Sequence, residues 1–161
     1  MRKIVGAFTG VALMLGTAAN TSAAPEQYLT RLQSENAAFG NALRKYDAAR
    51  RSLEIDPRNH DSTLCMQTVS RQANVLLANL VAAEGMTLIL EAVTVSADHE
   101  RAAAIAHLHI DGTKEQAALV VQYVNASYKA PLCQRIDIAQ LGQEIADKAR
   151  VVADVLSAME Q

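Results

Sequence analysis

The sequence predicts an all-α protein built as four long helices in an antiparallel, up-down-up-down bundle. Three observations carry that prediction. Apolar residues recur at helical spacing along most of the chain. The breaks are few and short, at Asp56-Pro57, Ser96–Glu100 and Ala130-Pro131. The apolar residues are mainly Ala, Leu, Val and Ile, with few aromatics and no Trp, a composition suited to close helix packing. At 161 residues the chain is long enough for one domain with a sizeable core, and it shows no repeat or linker.

The N-terminus reads as a targeting segment. Met1-Arg2-Lys3 is a short basic start, and Ile4 to Ala19 is an apolar run. Thr21-Ser22-Ala23 then places small residues where a signal peptidase reads. Residues 1–23 are therefore expected to be a bacterial signal peptide and 24–161 a single exported domain. No Cys near the cleavage site supports a lipid anchor, and no Arg-Arg pair supports the twin-arginine route. The expected location is periplasmic or secreted, with no stable membrane anchor after cleavage. Cys65 and Cys133 are the only two cysteines, and in an exported chain they are expected to form one disulfide. Closing so long a loop is worth roughly 4 kcal/mol in the chain-entropy model.

The first helix is expected from Pro25 to Ile55. Leu32, Asn36, Phe39, Leu43, Tyr46, Arg50 and Leu53 step by four and three, a coiled-coil-like seam with two polar breaks. Asp47 and Arg51 are placed for an i,i+4 pair. Asp56-Pro57 stops this helix because the residue before proline avoids helical geometry. The second helix is expected from about Thr63 to Val95, capped by Asp61 or Ser62. Its stretch from Val75 to Val95 is apolar nearly all round, broken only by a stripe of Glu84, Thr87, Glu91 and Thr94. Such a helix needs partners on most sides, so it is expected to be the most buried of the four. Its length also suits a membrane span, but Glu84 and Glu91 would be expensive in lipid. Gly85 is expected to allow a close helix approach.

The third helix is expected from Ser96 to about Tyr128. Asp111-Gly112-Thr113 interrupts it, and Thr113 with Gln116 resembles a capping box, so a kink or split is expected near Gly112. The fourth starts at Pro131, and Ile138, Leu141, Ile145, Val152, Leu156 and Met159 give it one apolar face. Glu144 and Lys148 belong to its solvated side. Cys65 and Cys133 then stand at the starts of helices two and four, which are diagonal in a square bundle, yet bridged Cα atoms lie within about 7 Å. Helices two to four are therefore expected to form a triangular core with helix one packed outside, or else the diagonal is short at that end.

The formal net charge is -2 and there is no long basic run, so nucleic acid is not an expected partner. His107 and His109 are two apart, which on a helix turns their rings about 200° from each other. The HExxH, Glu-x-x-His and Cys-x-x-Cys-His signatures are lacking, as are a nucleophile elbow and a phosphate-binding glycine loop. No catalytic set, metal site or cofactor is assigned. A polar layer of Glu84, His107, His109 and Asp154 is a candidate ligand site at mid-bundle, with Gln33 or Asn36 from helix one at the same level. Arg44, Lys45, Arg50, Arg51 and Arg58 form a candidate basic patch. The expectation is a non-enzymatic exported bundle that binds an unknown protein partner, as inhibitor, adaptor or chaperone-like factor. A bundle holding a small molecule or haem is the second reading, and a small helical enzyme acting on an anionic metabolite is the third.

Overall fold

The computed structural model describes residues 25–93, 96–129 and 136–160. The expected signal segment 1–23, Pro131 and Cys133 lie outside the described residues. Helix α1 spans Pro25–Glu54, α2 His60–Ala92, α3 Ser96–Ser127 and α4 Ile136–Ala158, and a 3-10 turn occupies Pro57–Asn59. The expected all-α bundle is found. Asp56 opens the 3-10 turn by accepting the Arg58 backbone N–H at 3.0 Å. That turn runs straight into α2, so α2 begins at His60, and the expected side-chain caps Asp61 and Ser62 lie within it. The described part of α4 covers 23 residues.

The helices pack in a ring, α1 on α2, α2 on α3, α3 on α4 and α4 on α1, leaving α1–α3 and α2–α4 as diagonals. Helix one therefore does not sit outside a core of the other three. It contributes Leu32, Phe39 and Tyr46, all fully buried, against Met66, Leu76 and Leu80 of α2 and Ile145, Val152 and Leu156 of α4. The triangular core was inferred from cysteines on the starts of both diagonal helices. The ring of adjoining pairs, with α2 and α4 across a diagonal, overturns that triangle. The expected seam of α1 and the apolar face of α4 are the sides that enter the core.

α3 runs unbroken from Ser96 to Ser127, without the expected split at Gly112. The Thr113 hydroxyl donates to the His109 carbonyl one turn earlier, at 2.7 Å, instead of capping a new helix. Gly85 does not serve a close helix approach, since a Cβ there would meet nothing within 4 Å. Gly142 does. A Cβ at Gly142 would fall 2.1 Å from the Tyr128 ring, which lies across this point of α4. The ring is held by a 2.6 Å hydrogen bond between the Tyr128 and Tyr46 hydroxyls.

Charged side chains stitch the neighbours. Lys45 reaches Glu144 at 2.8 Å and Lys148 reaches Glu35 at 3.7 Å, so both residues expected on the solvated side of α4 pair with α1. Asp47 accepts from Ser70 of α2 at 2.5 Å and lies 3.8 Å from Arg50, rather than pairing with Arg51. Lys114, midway along α3, joins Asp111 at 2.8 Å and Glu160 just past α4. These partners lower the Asp111 carboxyl and raise the Lys114 ammonium from their ordinary ranges.

Burial raises the pKa of both tyrosines at the α1–α3 diagonal, Tyr128 to about 12 and Tyr46 further, helped by Tyr128 beside it. In the unfolded chain both ionise near 10. Between about pH 10 and 12 the unfolded state therefore holds fewer protons than the folded one, and stability falls as pH rises, by up to about 1.4 kcal/mol per pH unit for each tyrosine. Chemical denaturation across pH 8–12 should show this alkaline loss in the wild type and lose most of it in Tyr46→Phe/Tyr128→Phe. Gly142→Ala should cost about 1–3 kcal/mol by displacing the Tyr128 ring.

Candidate functional site

The polar layer does not assemble. Glu84 turns toward α1, where the Asn36 amide donates to it at 2.5 Å. His109 turns toward α2, with Nε2 3.1 Å from the Asn79 carbonyl, a bond that needs the Nε2–H tautomer. His107 and Asp154 are exposed. The reason is register. Glu160 reaches Lys114, so the described part of α4 ends about 10 Å along the axis from His107. Of the two helix-one residues named for this layer, Asn36 bonds Glu84 and Gln33 lines the same notch between α1 and α2. Among the described residues no group of three or more His, Cys, Asp or Glu is placed to hold a metal.

The basic patch is also dispersed. Arg44 bonds Asn41, Lys45 bonds Glu144, Arg50 bonds Glu54, and Arg58 bonds Asp56 at 2.7 Å. The Arg58 guanidinium beside Asp56 holds its carboxyl below the usual carboxylate range. Arg51 is exposed. Each of these charges but that of Arg51 is therefore engaged locally, and the five do not converge on one anion.

Around Asn36 and Glu84 lies an open notch of about 330 Å³ between α1 and α2, with Gly40 and Ala37 on one wall, Leu77 and Val81 on the other, and Arg44 at its edge. Asn36 is buried and its Oδ1 has no hydrogen-bond partner. The volume is at the small end for a ligand pocket.

The largest anomaly is elsewhere. α2 was expected to be the most buried helix, yet only 28% of its most apolar window is buried. Glu84 and Thr87, from the polar stripe, are half-buried: Glu84 meets α1, and the Thr87 hydroxyl donates to the Ala83 carbonyl one turn back on α2. Apolar side chains are exposed instead, Val81 and Leu88 on the side toward α1, and Val75 and Ile89 on the side that adjoins α3. α3 continues this surface with Ile105, Leu119, Tyr123 and Leu108, the last 74% exposed.

The register makes these residues one surface. Gln116 donates to Gln72 at 3.0 Å, and His109 meets Asn79, so Val75 stands level with Thr113 and Ala82 level with Ala106, next to the outward Gly112 and Ile105. On α3 the outward residues Arg101, Ile105, Leu108, Gly112, Glu115 and Leu119 step by four and three. That is a second coiled-coil-type seam, facing away from the core. From Val75 to Leu90 the only charged residue is Glu84, already turned to α1. The face measures about 25 Å by 20 Å, on the order of 500 Å², the upper range for the largest apolar patch of a monomer. Single exposed leucines are ordinary, but a contiguous patch of this size marks an interaction surface.

The α3 spacing was available in the sequence. It was missed because Arg101, Gly112 and Glu115 interrupt the apolar positions, and because an apolar α2 suggested burial on every side. Comparison of the chain with protein-family models, curated proteins and solved structures returns no match.

Removing the Glu84 carboxylate orphans the buried Asn36 amide. Glu84→Leu should therefore destabilise the bundle by about 1–3 kcal/mol, whereas Glu84→Gln, which keeps an acceptor, should cost less. Urea denaturation of both variants checks this.

Proposed function

We propose that the chain is an exported helical bundle, pinned by a Cys65–Cys133 disulfide, that works by binding protein through the outer face of α2 and α3. The observation that carries this reading is the contiguous exposed apolar surface centred on Leu108. Its aliphatic side chains project from two rigid helices, so an approaching surface buries them with little loss of backbone freedom. It offers shape and apolar area, with no nucleophile or paired carboxylates at its centre.

Export is supported by the basic start, apolar run and small residues ahead of Ala24. The disulfide is supported by topology. The start of α2 and the α3–α4 connection stand at the same end of an antiparallel bundle, and no cysteine among the described residues is free. Intact mass of the secreted protein should show residues 1–23 removed and two hydrogens missing until reduction. Cys65→Ser/Cys133→Ser should lose about 2–5 kcal/mol in denaturation.

For the binding role, the mature chain is cross-linked in periplasmic extract and recovered. Leu108→Asp and Ile89→Asp, both on the face, should lose at least tenfold of the captured protein while retaining wild-type circular dichroism. Arg150→Ala, on α4, should retain it. Equal capture by all three variants would place binding elsewhere on the molecule.

The notch beside Asn36 gives a second reading, in which a small molecule donates a hydrogen bond to the unpaired Asn36 Oδ1. Native mass spectrometry of protein purified from its host would reveal such a ligand as added mass that Asn36→Leu abolishes.

A further inference from the structure

We infer that the occupant of this face is a second copy of the chain, with the two α3 helices antiparallel about a two-fold axis beside Leu108. This rests on reading the face as a protein-binding surface and goes further by naming the partner. Arg101 and Glu115 lie on the α3 seam, each two turns from Leu108, about 10 Å along the axis on either side. Both are exposed, and neither has an ion pair or side-chain hydrogen bond among the described residues. A base at one end of an apolar seam and an acid at the other is complementary to its own reverse.

Running α3 against a reversed copy sets Arg101 opposite the other chain's Glu115 at both ends. Running it parallel would set Arg101 on Arg101 and Glu115 on Glu115, so the charges select the antiparallel arrangement. The side-chain sizes agree. Leu108 meets Leu108 at the axis. Ile105 comes within one residue of Gly112 on the other chain, where a Cβ would meet nothing within 4 Å and the space is open for a larger neighbour. Val75, Ala82 and Ile89 of α2 form the shoulder beside the paired α3 helices. A face on the order of 500 Å² supplies most of the roughly 800 Å² per partner of a standard interface, and the charged ends supply rim.

The test is light scattering after size exclusion, with sedimentation equilibrium, on the purified disulfide-intact mature chain alone. The wild type should be a concentration-dependent dimer and Leu108→Asp a monomer with unchanged circular dichroism. Arg101→Glu should weaken the dimer about tenfold by setting acid against acid at both ends. Arg101→Glu/Glu115→Arg should restore it, a rescue that a merely structural role for either residue would not produce. A wild type that stays monomeric at high micromolar concentration overturns the inference. If its extract partner is still lost in Leu108→Asp, the protein-binding reading survives that result. A dimer indifferent to Leu108→Asp overturns it too, as does a monomer that instead floats with phospholipid vesicles.

Discussion

In a square bundle each helix touches two neighbours and buries little more than half its circumference. That limit governs this molecule. α1 and α4 are matched to it, each with one apolar seam that enters the core. α2 and α3 are not. After their inner positions are filled by Met66, Val69, Leu76, Leu80, Val120 and Val124, both retain large aliphatic side chains with no helix left to cover them. The surplus is therefore a consequence of packing geometry, and it falls on the outer face of the α2–α3 pair, where their exposed sides adjoin.

The direction of α2 follows from a few polar atoms. A helix that is apolar nearly all round has little preference of its own for which side turns inward. Asn36 is buried on the α1 seam and needs a partner, and Glu84 supplies one. Gln72 and Asn79 supply the Gln116 and His109 contacts on the α3 side. These bonds contribute modestly to stability, about 1 kcal/mol each, because folding exchanges them for bonds to water. Their larger effect is on specificity, since any rotation of α2 that buried Val75 or Ile89 would strand the buried Asn36 amide.

What could be read from residues alone divides along the same line. Helix number, the stop at Pro57, the α1 seam and the α4 face are strong periodic signals and appear as expected. The environment of Asn36 was half legible: its level near Glu84 followed from counting residues along antiparallel helices. The histidine layer failed because counting about Ala130 set His107 level with Asp154, whereas Glu160, six residues beyond Asp154, reaches only Lys114. The Tyr46–Tyr128 bond was not legible, because nothing local places two tyrosines so far apart in sequence beside Gly142. The burial of α2 was misread because hydrophobicity reports that a surface seeks cover but not which molecule provides it.

An exposed apolar seam carries a hazard as well as a use. A contact between two different patches can propagate from molecule to molecule, whereas a patch that meets its own copy about a two-fold axis closes at two. The order of residues on α3 favours closure. Reversing Arg101, Ile105, Leu108, Gly112 and Glu115 returns a pattern that fits the original, large against small and base against acid. Shifting the same helices by one turn would break both matches together, leaving the charges unpaired beside aliphatic side chains. The charges thus contribute less to affinity than to register, the role charged groups commonly take at an interface. The affinity comes from Leu108 and Ile105, the side chains that the square packing of the bundle leaves uncovered.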